Sequence, residues 1–349
     1  MPLGLINVYS TRNLGDAAIL RALTAMSPDG RAFARTPDAD PVAVPGLAAV
    51  ARLPSVSAYV SVGGDIFNNG RPDFVSRRFL ANLGELSRHA RRTFVFGQSI
   101  PRSCRGFGFS LLARAFRRLP CVVVRDEESL RRLAAAGVRA ELGHDAAFAL
   151  EAPADAAARG AALLSAAGIE PSRAALLSMR GFDRMYPMDQ AAFMSRMAAL
   201  AGALAARGHR PVALVQADAE GADSDRAIAA QLAARVPEVV VLDLFQDRED
   251  PVSALMCVLA AAETVVAVRY HTAILRLLSG RMPVVLSYSN KTRDLCDRLA
   301  IPGQEAADFD PALVARQAER AAARTFDPLP ASRLVRDHFA RALALAGAR

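Results

Sequence analysis

Residues 265–274 read VVAVRYHTAI, a short apolar run followed by two cationic side chains and the start of a helical pattern. An apolar run of this kind is typical of a buried strand. The free N–H groups at the start of a helix favour an anion, and Arg269 and His271 would favour it further. The stretch therefore predicts a strand, a turn and a helix that bind an anion at the carboxyl end of the strand. The alternative is an ordinary capping turn with a solvated arginine.

The residues on either side repeat this unit along most of the chain. We expect strands at 3–9, 57–62, 92–97, 120–125, 138–142, 174–179, 211–215, 238–242, 264–268 and 283–287. We expect helices at 16–27, 74–90, 106–118, 127–136, 156–168, 188–207, 222–235, 251–261, 271–279 and 291–299. Alternating strands and helices predict an α/β fold with parallel sheets and helices on both faces. Residues 28–56 contain five prolines and are expected to form a looser connection.

The alternation breaks at residues 150–156 and then restarts, which indicates a domain boundary. We therefore expect two Rossmann-like domains in tandem, at 1–152 and 153–325, followed by a C-terminal helix at 326–349. Ligands of such sheets bind at the carboxyl ends of the strands. The active site is accordingly expected at those ends, in the cleft between the two domains.

Composition limits the classes of protein. The chain is 52% hydrophobic and 22% charged, which is typical of a globular protein. No apolar stretch reaches the roughly 20 residues of a membrane helix, and no signal peptide pattern precedes the first strand, so we expect a cytoplasmic protein. The four cysteines are scattered, which predicts buried thiols and no metal site. Neither GxGxxG after the first strand nor GxxxxGK(S/T) occurs, which disfavours a dinucleotide dehydrogenase and a P-loop NTPase.

The positive charge is concentrated in one part of the chain. Residues 71–139 contain 15 arginines and five acidic residues, within a net charge of +8. Such a surface attracts lipid headgroups, diphosphates or nucleic acid. Within it, residues 106–118 combine three phenylalanines with three arginines. They form either a helix that packs on its own sheet with arginines turned to solvent, or a helix that docks at the inner face of the membrane.

Small and polar residues follow several of the expected strands. Asp16, after Asn13 and Gly15, is either the cap of the next helix or a carboxylate directed into the site. Gly63 and Gly64 end the next strand, and paired glycines let a backbone come close to a ligand. The strand at 92–97 runs into a similar turn, which includes Gln98.

Cations follow other strands in both halves of the chain. Arg125 comes directly after the apolar run 121–124, and a charge there needs a partner, for which we expect an anionic ligand. Arg180 ends the strand at 174–179 in the same arrangement. Lys291, the only lysine among 43 basic residues, opens the helix after 283–287. It is retained either by chance or because a compact ammonium is needed. Together these positions favour a compact, multiply charged ligand.

These segments resemble the motifs of the polysaccharide pyruvyl transferase family, in family order from about residue 7 to 300. The segments NLGDAAI at 13–19, GGD at 63–65, GQSI at 97–100, RDEES at 125–129, HDAAF at 144–148 and RYH at 269–271 resemble N-x-G-D-x-A-I, G-G-G, G-Q-S-I, R-D-x-x-S, P-D-x-A-F and R-x-H. Asp65 replaces the third glycine, Pro101 stands where the family often has Gly-Pro, and His144 replaces proline. We expect these departures to affect donor and acceptor details and not the fold.

The resemblance implies a GT-B-like fold, phosphoenolpyruvate as the donor substrate, no cofactor or metal, and a saccharide acceptor that is often lipid-linked. It implies catalytic roles for Asp16, Arg125 and His271. Substrate-binding residues are expected at Arg269, Lys291, Arg180, Asn13, Gly63, Gly64 and Gln98. We expect no nucleic acid partner, and contact with the inner face of the membrane would present a lipid-linked acceptor.

Two other functions fit the same architecture. A nucleotide-sugar glycosyltransferase would need a nucleobase pocket and usually an acidic pair for the ribose, whereas the expected cluster is basic. A protein that binds an anion or a glycan without turnover would keep the fold alone.

Overall fold

The computed structural model describes residues 2–68, 75–182, 186–218, 224–246 and 249–347. The helices are α1 (Leu14–Ala25), α2 (Arg77–Arg88), α3 (Gly106–Phe116), α4 (Glu127–Ala135), α5 (Ala156–Ala166), α6 (Gln190–Ala206), α7 (Arg226–Arg235), α8 (Pro251–Ala261), α9 (Tyr270–Leu278), α10 (Asn290–Leu299), α11 (Pro311–Ala322) and α12 (Leu329–Gly347). The strands are β1 (Leu3–Ile6), β2 (Ala32–Ala34), β3 (Leu47–Ala49), β4 (Tyr59–Ser61), β5 (Thr93–Gln98), β6 (Val122–Val124), β7 (Glu141–Leu142), β8 (Ala174–Ser178), β9 (Arg210–Val215), β10 (Val240–Asp243), β11 (Thr264–Ala267), β12 (Val284–Ser287) and β13 (Gly303–Glu305). Residue 74 and residues 222–223 of two expected helices lie outside the described ranges.

The chain divides into two compact units. The first comprises Met1–Thr11, Asp16–Leu150 and Leu329–Arg349, and the second comprises Arg12–Gly15 and Glu151–Pro328. The boundary expected after residue 152 thus falls after Leu150. Helix α12, expected as a separate C-terminal segment, belongs to the first unit, because Phe339 packs against Phe94 and Phe96 with ring centroids 5.5 and 5.4 Å apart.

Each unit is built on one parallel sheet, which confirms the expected fold class. The strand order is β3-β2-β1-β4-β5-β6-β7 in the first unit and β10-β9-β8-β11-β12-β13 in the second. In each sheet the order reverses once, between β1 and β4 and between β8 and β11. Ligands of open α/β sheets bind at the carboxyl ends of the strands beside such a reversal. The topology therefore marks one edge of each sheet.

Four elements were not expected from the sequence. Strands β2 and β3 lie in the proline-containing segment 28–56, and each pairs with its neighbour over only three residues. Strand β13 is equally short, and it is followed by α11. The start of α11 does carry a recognisable signal, since Asp310 accepts hydrogen bonds from the N–H groups of Ala312 and Leu313 and Pro311 occupies the first turn.

Apolar packing fixes the helices on the sheets. In the first unit Phe67 lies edge-on to Phe79 and Phe116, with ring centroids 6.1 and 5.6 Å away. In the second unit α5 crosses α8 closely because Gly160 has no side chain. A Cβ atom at Gly160 would stand 1.9 Å from the carbonyl oxygen of Cys257. None of the described helices is long and apolar enough to cross a membrane.

Candidate active site

Cations converge at the carboxyl edge of the second sheet. Arg180 follows β8, Arg269 follows β11 and Lys291 begins the helix after β12, and these three strands are neighbours in the sheet. Arg180 and Arg269 flank the point at which the strand order reverses. Of the five residues predicted to converge, Arg180, Arg269, His271 and Lys291 lie along this edge, and Arg125 lies in the first unit.

Arg269 is held by a buried carboxylate. Its Nη2 lies 2.6 Å from Oδ1 of Asp225, and its Nε donates to the carbonyl oxygen of Met179 over 3.1 Å. Burial raises the pKa of Asp225 above its usual value, while the charge and hydrogen bonds of Arg269 oppose the rise. The Arg269 side chain is 9% exposed. Asp225 therefore fixes the guanidinium and leaves little of it open to solvent.

Beneath Arg269 a buried polar network joins three strand ends. The hydroxyl of Ser178 accepts from the backbone N–H of Arg269 over 3.2 Å and from Nε2 of Gln216 over 2.7 Å. Thr272, in the first turn of α9, donates to Oε1 of Gln216 over 2.8 Å. Networks of this kind rigidify the elements that they join. The start of α9, which carries Arg269 and His271, is thereby fixed on β8 and β9.

Lys291 lies among three tyrosine rings. Its Nζ is 5.6, 5.8 and 5.9 Å from the ring centroids of Tyr186, Tyr270 and Tyr288, which we call the tyrosine cluster. Ring faces attract a cation electrostatically at such distances. The same cluster receives Arg180, whose Cζ is 4.9 Å from the Tyr186 centroid and 5.0 Å from that of Tyr288. Arg180 also donates to the Tyr288 hydroxyl over 3.1 Å. The two cations are thus positioned by shared rings.

His271, the second residue of α9, packs against the backbone of Gly15. A Cβ atom at Gly15 would stand 2.2 Å from Nδ1 of the imidazole, so only glycine fits there. Asn13 caps helix α1, because its Oδ1 accepts from the N–H of Gly15 over 3.1 Å. The contact engages Oδ1 alone, and the predicted substrate contact of Asn13 stays a prediction. The alternative that Asp16 is the cap is excluded by the same contact.

The segment that carries Gly15 is anchored to the end of β9. Leu14 donates its N–H to the carbonyl oxygen of Gln216 over 2.9 Å, and the N–H of Asp218 donates to the carbonyl oxygen of Arg12 over 2.8 Å. Arg12 also pairs with the Asp218 carboxylate at 2.5 Å. Burial acts to raise the pKa of Asp218, but Arg226 and Arg12 outweigh it and lower the pKa. Gly15 is therefore held firmly against His271.

In the first unit, Asp16 lies at the carboxyl edge of the sheet. It lines a narrow cleft of about 10 Å³, formed by residues that follow β1 and β4, including Ser10 and Gly63. The cleft lies at the reversal of strand order in this sheet. Asp16 is partly exposed there and is not needed as a cap. Its position thus fits the predicted carboxylate better than the capping alternative.

Arg125 has internal partners, which corrects one expectation. Its guanidinium pairs with Asp145 at 2.5 Å and with Asp65 at 3.4 Å, and its Nε donates to the Ser99 hydroxyl over 2.8 Å. The side chain is 1% exposed. The argument that its charge needs an anionic ligand was therefore wrong, because two carboxylates already compensate it. Asp65, the departure from the third glycine of the motif, is one of them.

The glycine and glutamine motifs also have structural partners. Gln98 is fully buried, and its Nε2 donates to the carbonyl oxygens of Gly64 and Ser99. A Cβ atom at Gly63 would stand 2.4 Å from the carbonyl oxygen of Gly97, and Gly64 has a φ of +114°. These glycines admit a neighbouring strand, where the sequence predicted a ligand. Gln98 accordingly holds this turn, and the binding of substrate by Gly63, Gly64 and Gln98 stays a prediction.

The tyrosine cluster and the carboxylate of Asp225 were not predicted from the sequence, and Asp145 was noted only as part of the HDAAF motif at 144–148. Tyr270 and Tyr288 stand directly beside strand ends, so the rule that selected Arg269 and Lys291 could have selected them as well. Asp225 lies 44 residues before its partner Arg269. No local feature of the sequence indicates that these two residues form a pair. Among the described residues, no group of three or more His, Cys, Asp or Glu side chains is placed to hold a metal ion.

Two α/β units with parallel sheets define the fold class as GT-B-like, and solved structures agree with it. An α,α-trehalose-phosphate synthase (UDP-forming) from Burkholderia vietnamiensis has a TM-score of 0.54 at 13% identity, covering 99% of this chain and 96% of its own. The α,α-trehalose 6-phosphate synthase of Burkholderia multivorans has 0.52 at 12%, covering 100% and 96%. HepE of Anabaena, solved in complex with UDP, has 0.50 at 13%, covering 97% and 99%. At sequence identities this low, the structural likeness establishes the fold alone.

The family follows from the sequence. The chain belongs to the polysaccharide pyruvyl transferase family, whose model matches residues 13–290. The matched residues begin at Asn13 and include Asp16, Arg180, Arg269 and His271, and Lys291 follows directly after them. Among curated proteins, none matches this chain.

Proposed function

We propose that this protein transfers the enolpyruvyl group of phosphoenolpyruvate to a saccharide and forms a pyruvate ketal, in the biosynthesis of an exopolysaccharide or cell-surface glycan. The observation that carries the proposal is the gathering of Arg180, Arg269, Lys291 and His271 along one edge of the second sheet. A small donor with a phosphate and a carboxylate needs such a set of cations. Membership of the polysaccharide pyruvyl transferase family supports the reaction class.

The donor would lie over the start of α9. Arginine pairs with phosphate and carboxylate in a planar, two-pronged geometry, which suits Arg180 and the exposed part of Arg269. Lys291 adds a compact charge at the tyrosine cluster. The free N–H groups of α9 favour an anion at the same place. We assign the donor to these groups.

His271 is the proposed acid. It delivers a proton to C3 of the enol, and the resulting cation at C2 is attacked by one saccharide hydroxyl. Phosphate then leaves C2, a second hydroxyl adds there, and the two hydroxyl protons are released. Histidine suits proton transfer near neutral pH. Asp16 would orient or deprotonate an acceptor hydroxyl; its part and that of Arg125, both in the first unit, remain predictions.

A nucleotide-sugar glycosyltransferase is the second candidate. It is favoured by one observation, the likeness of the fold to HepE, which was solved with UDP. The cationic edge of the second unit argues for the smaller and more highly charged donor. A relative that binds an anion or glycan without turnover would keep the same cations and show no reaction.

The deciding experiment supplies phosphoenolpyruvate or UDP-sugars with free and lipid-linked saccharides. Phosphate release from phosphoenolpyruvate that depends on an acceptor, together with the mass of one added pyruvate on that acceptor, supports the proposal. His271→Gln should abolish turnover and still bind phosphoenolpyruvate. Release of UDP with a glycosylated acceptor would establish the second candidate. Binding of phosphoenolpyruvate without product across the acceptor set would favour the non-catalytic relative.

A further inference from the structure

Five arginines line one concavity of the first unit. Its wall consists of Arg88 at the end of α2, Arg91 and Arg92 before β5, and Arg117 and Arg118 after α3, around a volume of about 700 Å³. We call this concavity the arginine basin. It lies at the amino ends of β5 and β6, which are neighbours in the sheet. Asp16 and Arg125 lie at the carboxyl ends, so the basin is separate from them.

The basin is built from fixed parts. Arg117 donates from Nε and Nη2 to the carbonyl oxygen of Ala136, and Arg92 donates to that of Val56 over 3.1 Å. His89 stacks on Tyr59, with ring centroids 4.1 Å apart. Burial lowers the pKa of His89, and the charges of Arg88 and Arg92 lower it further. The positive potential of these arginines therefore acts on the neighbouring side chain of His89.

This charge has no internal compensation. In the part of the chain that the structure describes, no carboxylate forms an ion pair with any of the five arginines. Glu85, the nearest acidic residue on α2, accepts a hydrogen bond from the backbone N–H of Asn7. Arg125 shows the contrast, since two carboxylates neutralise it. The basin thus presents its charge outward.

Helices α2 and α3 both end at the basin, and their exposed faces carry further basic and apolar residues toward the other end of each helix. On α2 the exposed positions include Arg77 and Leu80, and on α3 they include Phe107 and Arg114. Phe107 is 73% exposed and Leu80 is 50% exposed. Exposed large apolar side chains among arginines are typical of a helix that lies on a membrane surface. We call these residues, together with the arginine basin, the α2/α3 face.

We propose that the α2/α3 face docks on an anionic lipid bilayer, with headgroup phosphates in the arginine basin and with Leu80 and Phe107 in the interfacial region. Arginine matches phosphate oxygens with a planar fork. The lining of the basin contains no Tyr, Phe or Trp side chain, and the ring of His89 is already stacked on Tyr59, so no free ring face is offered to a nucleobase. This favours lipid over nucleic acid. The proposal does not rest on the pyruvyl transfer, because none of its residues is assigned to that reaction.

The test measures sedimentation of the full chain with vesicles in the absence of any substrate. Binding is expected to vesicles of phosphatidylcholine mixed with phosphatidylglycerol, to fall with added salt, and to be weak on phosphatidylcholine alone. The triple variant Arg88→Gln, Arg91→Gln and Arg118→Gln should weaken binding by roughly a hundredfold, because each basic residue near an anionic surface raises the affinity by about fivefold. Phe107→Ser should weaken it further.

The matched control removes the same charge elsewhere. Arg235, Arg316 and Arg320 are exposed on α7 and α11 of the second unit, and their triple glutamine variant should bind vesicles almost as the parent does. Equal weakening by the two triple variants would reduce the effect to net charge and overturn the proposal. So would equal partition onto neutral vesicles. If the basin variant lost binding to duplex DNA and kept vesicle binding, the face would be a nucleic acid site instead.

Discussion

Gly15 can be tested directly, because its contact with His271 leaves no room for a side chain. In Gly15→Ala the new Cβ would stand 2.2 Å from Nδ1 of His271, so the imidazole must move. A misplacement of about 1 Å at a reacting group costs on the order of a hundredfold in rate. We expect kcat for pyruvyl transfer to fall by about that factor while the far-UV circular dichroism is unchanged.

The control for Gly15 is Gly202→Ala, in α6 of the same unit. A Cβ atom at Gly202 would meet nothing within 4 Å. Alanine in a helix is favoured over glycine by roughly 1 kcal/mol, so this variant should be as active as the parent and slightly more stable. Full activity of Gly15→Ala would show that the position of His271 does not limit the reaction.

A substitution at Lys291 can distinguish the effect of its charge from the effect of its shape. Lys291→Arg keeps the positive charge but replaces a compact ammonium, held among three rings, with a wider planar group. If Lys291 contacts the donor, KM for phosphoenolpyruvate should rise up to about tenfold, because the wider guanidinium cannot place its charge where the compact ammonium stood. The KM for the saccharide should not change. Unchanged donor KM would mean that the lysine belongs to the outer surface of α10.

The candidate residues show how far local sequence reasoning reaches. It found Arg180, Arg269 and Lys291, because a charge after an apolar strand is visible in the chain itself. It misread Arg125, whose partners Asp145 and Asp65 are 20 and 60 residues away. A carboxylate that neutralises a cation from another strand end leaves no local pattern. Burial and pairing, which decide whether a charge is available to a ligand, depend on the fold.

At the scale of elements, Arg125 links β6 to the loop after β7. Arg125→Gln leaves Asp145 buried without its charged partner, and breaking a buried pair costs about 3–5 kcal/mol. We expect that loss in the free energy of unfolding by urea. Arg131→Ala, in the adjoining helix α4, removes a pair to Glu128 whose arginine is 72% exposed. It should cost about 0.5 kcal/mol or less.

The double variant Arg125→Gln, Asp145→Asn shows whether the unpaired carboxylate causes the loss of stability. Removal of the second charge should recover part of the lost stability, because the penalty comes mainly from an unpaired buried carboxylate. A variant of Arg125 with parent stability and no turnover would restore the catalytic role that the family resemblance implies. A loss of both would be expected if the ion pair supports the site.

Three strands toward the ends of the two sheets, and helix α11, were not revealed by the sequence. Strands β2 and β3 lie among the prolines of residues 28–56, and β13 contains no β-branched or aromatic residue. They form because an edge of a sheet supplies hydrogen-bond partners to any extended segment that reaches it. The central strands were predicted correctly, including β4 and β6 with three residues each, because they lie in apolar runs of the sequence. Their apolar runs, such as Thr264–Ala267, are long enough to indicate a buried strand without help from neighbours.

Across the whole molecule, the two sheets follow one plan with different charge. Each reverses its strand order once, and candidate residues lie at the carboxyl edge beside that reversal. In the first unit the buried cation Arg125 is neutralised and the carboxylate of Asp16 remains partly exposed. In the second unit Arg269 is likewise paired, with Asp225, but Arg180 and Lys291 add two further cations at the tyrosine cluster. This division fits an acceptor side that handles hydroxyl groups and a donor side that binds an anion.

The packing of the C-terminal helix α12 on the first unit can be tested by substitution. Phe339 of α12 contacts Phe94 and Phe96 of β5, and Arg336 donates to the carbonyl oxygen of Ala149 over 2.7 Å. Phe339→Ala opens a cavity in this packing and should cost about 3–5 kcal/mol. We expect hydrogen exchange to accelerate in β5 and at Ala146–Ala149, with β8 and β11 of the second unit unchanged. Leu345→Ala, on the same helix at a side chain that is 44% exposed, should alter exchange little. Faster exchange in β8 and β11 as well would show that the two units unfold as one, and unchanged exchange in β5 would remove α12 from the core of the first unit.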